Sequence, residues 1–110
     1  MEWYIGSMLG GRMIVSFRDD WLRAFFVFDA HSRNIPPDLE TRLFRRLQMI
    51  DDATCDKDLR APPSNHFGKL RGHLDGWHSV RVNKQWRLIF QWDSSHGEAS
   101  GLYLDDHRYM

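Results

Sequence analysis

From Phe67 onward the apolar residues recur at every second position, and this change of period constrains the fold more than any other feature. "FGKLRG", "WHSVRV", "QWRLIFQW" and "SGLYLD" are strand candidates, separated by "HLDG", "NK" and "DSSHG". Upstream the period is helical. In "LETRLFRRLQMIDDA", Leu39, Leu43, Leu47 and Ile50 fall at i, i+4, i+8 and i+11, a single stripe. Arg42, Arg45 and Arg46 lie off it, as a solvated helix face requires, or as RNA contacts would. Asp38 is the expected cap, after the break at "NIPPD". An earlier helix, "DDWLRAFFVFDA", is capped by Asp19 or Asp20. Its broad apolar face holds Trp21, Leu22, Phe25, Phe26 and Phe28. "MIVSF" opens as a strand, and the prolines of "DKDLRAPPSN" make that stretch a loop. The order β-α-α-β-β-β-β predicts an α+β fold, with two N-terminal helices packed on one face of a twisted, mostly antiparallel sheet of four to five strands.

A chain of 110 residues fits one domain. Residues 1–12, with the small and flexible "GSMLGGR", read as a tail, and 13–110 as the domain. No apolar run reaches the ~18 residues of a membrane span, and the N-terminus lacks the basic and apolar regions of a secretory signal. Cys55 is the sole cysteine, so no internal disulfide can form. A cytosolic protein without membrane contact is expected. The six histidines show no HxxxH spacing, and CxxC, P-loop, GxGxxG and GxSxG motifs are absent, so neither metal nor cofactor is expected.

Zero net charge hides an asymmetry. Residues 57–91 carry Lys57, Arg60, Lys69, Arg71, Arg81, Lys84 and Arg87 against only Asp58 and Asp75. Such a basic middle is either an ordinary solvated surface or a local anion-binding one.

The register of "VRVNKQWRLIF" decides between faces. A two-residue loop at Asn83-Lys84 would mix valines with Gln85 and Arg87. A three-residue loop, Asn83 to Gln85, pairs Val80 with Leu88 and collects Val80, Val82, Trp86, Leu88, Phe90 and Trp92 on one face. Burial selects this register, because a one-residue slip turns every side chain over. Gln85 is a poor residue for the left-handed position that often ends such loops. Arg81 and Arg87 then lie directly opposite each other, where like charges destabilise. Either an anion sits between them, or a carboxylate such as Asp105 or Asp106 answers them. Lys69 and Arg71 are expected on the same face. Trp77, also there, stacks a base or packs under a loop.

Arginine forks suit phosphate recognition and can stabilise charge growing on a cleaved phosphodiester. The closing "DDHRY" adds carboxylates, an imidazole and a phenol. His107 is the residue there whose unperturbed pKa lies near neutrality. These are the residue types for metal-free RNA cleavage, although a polar tail can be only a tail.

"MIVSF", "PPSNHFGKLRG", "DGWHSVRVNKQWRLIF" and "LYLDDH" together resemble the HigB-type toxins of the RelE/ParE superfamily, small host-inhibition proteins of bacterial toxin–antitoxin modules. The resemblance runs from Met13 to about His107. It rests on Leu70, Arg71, Gly72, Gly76, Ser79, Val82, Trp86-Arg87 and Phe90. It implies a RelE-like fold and ribosome-dependent, metal-free cleavage of mRNA. It also implies a HigA-like helix-turn-helix antitoxin that carries the contact with DNA. The family's basic residue after the leucine falls on Arg71, and its strand arginine on Arg87. The family's closing Asp-Tyr-His reads Asp105-Asp106-His107 here, with an aspartate at the tyrosine position and Tyr109 as its substitute. The family's histidine before the Leu-Lys-Gly stretch falls on Gly68, so His66, two residues earlier, takes that role. Arg87, Arg71, His107, Asp105, Asp106 and His66 are thus the catalytic candidates implied. Lys69, Arg81, Lys84, Trp77 and Tyr109 are the RNA contacts. A ParE-like gyrase inhibitor and an inactive antitoxin-binding protein are the alternatives.

Overall fold

The structure, a computed structural model, describes residues 14–61, 63–72 and 76–106. Helix α1 is Asp20–Phe28, α2 is Glu40–Asp52 and α3 is Asp56–Arg60. Strands β1 (Gly68–Lys69), β2 (Trp77–Arg81), β3 (Trp86–Asp93) and β4 (Glu98–Asp106) form one antiparallel sheet in sequence order. The expected α+β architecture is present. Residues 14–17 of the "MIVSF" stretch lie parallel to β4 through isolated bridges at Ile14–Ala99 and Phe17–Leu102, the exception to the antiparallel pattern among the described residues.

The α2 stripe is buried as its spacing requires: Leu39, Leu43, Leu47 and Ile50 join Leu22 and Phe25 of α1 against Val80, Val82, Leu88 and Phe90 of the sheet. Burying a Leu or Phe side chain contributes roughly 1.5–3 kcal/mol, so this layer dominates the packing. Four local expectations change. Phe28 is 56% exposed, because α1 buries only Leu22 and Phe25 fully and turns its C-terminal end to solvent. Asp19 occupies the N-cap of α1 without a side-chain cap bond. Asp38 does not cap α2; it lies inside a single 3-10 turn, Pro37–Leu39, that leads into the helix. The "DKDLR" stretch is the short helix α3, not a loop, because Leu59 is buried in the core and two aspartates favour its first turn. The "HLDG" turn lies mostly outside the described residues.

The hairpin takes the three-residue register: Val80 faces Leu88, and Arg81 faces Arg87. Its turn uses no left-handed residue. The Asn83 Oδ1 accepts hydrogen bonds from the Gln85 and Trp86 backbone N–H groups, each at 2.8 Å, and the Val82 N–H donates to the Trp86 carbonyl. Asn83 thereby supplies an Asx-type closure, which explains why Gln85 is tolerated.

A bulge in β4 shapes the opposite face. Ile89 pairs with Tyr103 but Gln91 pairs with Ser100, so one extra residue is absorbed near Gly101. Gly101 has φ +65°, and a Cβ there would come within 3.1 Å of Trp77 Cη2. The bulge lets Ala99, Leu102 and Leu104 all reach the core, while Ser100, Tyr103 and Asp105 share the other side.

Candidate functional site

The face of the sheet opposite the core carries one transverse row of ionisable groups. Arg87 of β3 is paired on one side with Arg81 of β2 and on the other with Asp105 of β4. The row continues to His66. His66 precedes β1 and joins the row through its side chain. The Arg81 Nη1 to His66 Nε2 distance is 3.0 Å. An arginine can only donate, so His66 presents an unprotonated Nε2 there. Arg81 Nε also donates to the Asn83 carbonyl at 3.2 Å. The Arg81 guanidinium thus leans toward His66 and the turn, away from Arg87.

Local backbone holds each member. His66 follows the 3-10 turn Pro63–Asn65, and its N–H donates to the Pro63 carbonyl. It sits at φ +49°, a left-handed conformation that a residue with a Cβ adopts at a cost. Asn65, fully buried, anchors that turn through hydrogen bonds to the Leu59 carbonyl and the Met49 sulfur. Arg87 and Asp105 are fixed by strand pairing, and both are half-buried.

Further along the same face, Trp77 meets Tyr103 edge-on at 6.0 Å, and Arg18 stacks over the Tyr103 ring with Cζ 3.6 Å from its centroid. Burial pushes the Tyr103 phenol above its ordinary pKa. The Arg18 charge opposes this and the Asp105 charge adds to it. The Trp77 indole is half-buried against Gly101 and Tyr103 rather than splayed for a base.

Other expected site residues fall elsewhere. Lys69 pairs with His78, so it belongs to the opposite face from Arg81 and Arg87. Arg71 is exposed beyond the two-residue β1, where strand parity no longer assigns it to the row. Both had been expected beside the arginine pair. The pairing shows instead that Gly68 carries that parity. Asp106 pairs with Trp86, one step out of phase with Asp105, and accepts a hydrogen bond from Gln85 Nε2 at 2.9 Å. It faces a cleft of about 870 Å3 shared with Trp86, His31 and Glu40. Lys84 is exposed on the hairpin turn. His107 and Tyr109 lie outside the described residues. Among the described residues, no three His, Cys, Asp or Glu side chains gather closely enough to hold a metal ion.

The sequence leaves Arg46 as either a solvated helix residue or an RNA contact. It is half-buried, and its Nε donates to the Arg81 carbonyl at 2.9 Å. Burial, and then the charge of Arg42, push its guanidinium below the ordinary pKa. The four-residue spacing of Arg42 and Arg46 on α2 was the available signal.

Comparison with known proteins bears on the family and the fold. A family model described as the RelE-like toxin of the type II toxin–antitoxin system HigB matches residues 15–107. The chain is 50% identical over 97 residues to Toxin HigB-1 of Vibrio cholerae, covering 88% of this chain and all of that one. It is 44% identical over 94 residues to an uncharacterised protein of Haemophilus influenzae, covering 84% of this chain and 90% of the relative. Among solved structures, the toxin–antitoxin complex RelBE2 of Mycobacterium tuberculosis contains a similar fold. The TM-score is 0.52 at 18% identity, over 88% of this chain and 98% of that one.

Proposed function

The chain belongs to the HigB-like family of RelE-like type II toxins, and from that premise we propose that it is a ribosome-dependent endoribonuclease that arrests translation by cutting mRNA. The observation that carries this reading is the row His66–Arg81–Arg87–Asp105 across the open face of the sheet. It joins a phosphate-binding cation, a neutral imidazole and a carboxylate, the set a 2′-hydroxyl attack needs.

In this mechanism Arg87 donates to the non-bridging phosphate oxygens and stabilises the charge that grows on them. Arg81 turns from His66 to the phosphate, which frees the Nε2 lone pair to take the 2′-hydroxyl proton. The 2′-oxygen bonds to phosphorus as the bond to the 5′-oxygen breaks. A 2′,3′-cyclic phosphate and a 5′-hydroxyl result, the latter completed by a proton from the C-terminal acid group. We assign that proton to the His107 imidazolium, with the Asp105 carboxylate supporting its charge, Asp106 and Tyr109 as further supporting groups and Arg71 as an outer phosphate contact. A HigA-like helix-turn-helix antitoxin is the neutralising partner, and DNA is reached only through it.

Induced expression of the full chain, with mapping of mRNA 5′ ends, tests the proposal. Codon-phased cuts are expected, reduced at least ~100-fold by Arg87→Ala, the scale of losing one transition-state donor. Growth arrest and DNA damage with intact mRNA would overturn it in favour of a ParE-like gyrase inhibitor. Harmless expression would overturn it in favour of an inactive antitoxin-binding protein.

A further inference from the structure

We propose that the cleft between α2 and the β2–β3 turn is a second phosphate subsite, which holds the RNA backbone beside the phosphate bound at the sheet row. The proposal rests on the nuclease reading and extends it to residues outside the row.

The cleft measures about 470 Å3 and is lined by Arg42 and Arg46 of α2, Ser64 and His66 of the preceding loop, and Arg81 and Lys84 of the hairpin, with no carboxylate in its lining among the described residues. Four permanent cations therefore converge around a concave space rather than spreading over a solvated face. Arg42 and Arg46 are one helical turn apart and share a side. The hydrogen bond from Arg46 Nε to the Arg81 carbonyl locks that guanidinium in place. A fork already ordered loses less freedom when it meets a phosphate. The depressed pKa of Arg46, caused by burial and by Arg42, is consistent with like charges held together without a counter-charge. An anion entering the cleft relieves that repulsion.

An acidic peptide would also be attracted, but continuity favours RNA. Arg81 and His66 line both the row and the cleft. A strand whose scissile phosphate lies at Arg87 would reach the cleft past Arg81, whose side chain lines it and whose carbonyl holds Arg46, with Lys84 in the same lining. Ser64 adds a neutral donor suited to a phosphate oxygen.

The test is binding of a labelled single-stranded RNA oligonucleotide to the full chain, followed by fluorescence anisotropy over a range of salt. Arg42→Gln with Lys84→Gln removes two exposed cleft charges and spares Arg46, whose anchoring bond supports the fold. Arg45→Gln is the matched control, because Arg45 lies on α2 but lines a different groove with Phe44 and Asp29. For single strands, each lost phosphate contact reduces the slope of log affinity against log salt by about 0.7. The double variant should therefore lose about 1.4 of slope and bind about 25-fold more weakly at 0.1 M salt. Arg45→Gln should match the wild type, and thermal melts should show all three equally folded. An unchanged slope in the double variant overturns the proposal. So does a variant that keeps RNA binding but loses affinity for poly-glutamate, which would assign the cleft to an acidic peptide. The assay needs no ribosome and no cleavage. Reduced RNA binding with uncut cellular mRNA would sink the nuclease reading alone, and cut mRNA with an unchanged slope would sink the cleft alone.

Discussion

Arg87 stands between a like charge and an opposite one, and the sign of its contribution to stability should depend on which neighbour is present. Arg81 faces it on β2 and Asp105 on β4. Directly opposed like charges destabilise a sheet, and opposite charges stabilise it, each by roughly 0.2–1 kcal/mol. The repulsive half falls low in that range, because Arg81 leans toward His66 and the Asn83 carbonyl. In the wild-type background the two effects nearly cancel, and Arg87→Gln should change stability by less than about 0.5 kcal/mol. With Asp105→Asn already in place, only the repulsion remains for Arg87→Gln to remove. The substitution should then stabilise by about 0.2–0.5 kcal/mol, a rise of roughly 1–4 °C in Tm for a domain near this size. Thermal melts of the four members of this cycle at low ionic strength measure the difference. At 1 M salt, where the screening length is about 3 Å, the background dependence should largely disappear. An equal cost of Arg87→Gln in both backgrounds, or a dependence that salt leaves intact, would refute the electrostatic account of the row.

Two further outcomes follow from packing and burial. Gly97 has φ +67°, and a Cβ there would run into the Thr54 backbone carbonyl; Gly97→Ala should cost about 2–4 kcal/mol, visible as a lower urea midpoint with unchanged slope. His78 is buried and stacked on Phe67 at 5.2 Å. Burial holds its pKa below the ordinary value, with Asp56 opposing the shift and Lys69 adding to it. The unfolded chain therefore binds the His78 proton first as pH falls. Stability should decline from about pH 6.5 until the folded pKa is passed, and His78→Phe should flatten that part of a urea-midpoint profile.

The two main helices and the hairpin register were legible because burial decides them. The stripe Leu39, Leu43, Leu47 and Ile50 has one side that avoids water, and the valines and aromatics of residues 80–92 have one common face. The row Arg81–Arg87 follows from the same alternation. Lys69 was misassigned because a strand only two residues long carries too little alternation to fix its register, and Lys69 pairs with His78 rather than Ser79. Arg71 lies past the end of that strand, next to Gly72 at φ +72°, where parity assigns no face. The bond from Arg46 to the hairpin was not legible for a different reason. A helical stripe identifies the side that meets the core, but it cannot reveal that a hairpin turn closes over the flank beside it. The helix α3 was missed because Pro62 and Pro63 mark where a helix must stop and give no sign of a single turn before them.

The bulge at Gly101 makes β4 two rulers joined out of step. Residues before it count their faces from Ala99, and residues after it from Leu102. Loss of the bulge with the number of residues kept would not simply straighten the strand. It would force a choice between turning Ala99 out of the core and turning Asp105 into it. The carboxylate of the row is therefore addressed from a glycine four residues away, and the same glycine gives Trp77 its seat. Sequence variation at position 101 would be expected to surface as altered charge at the far end of the strand.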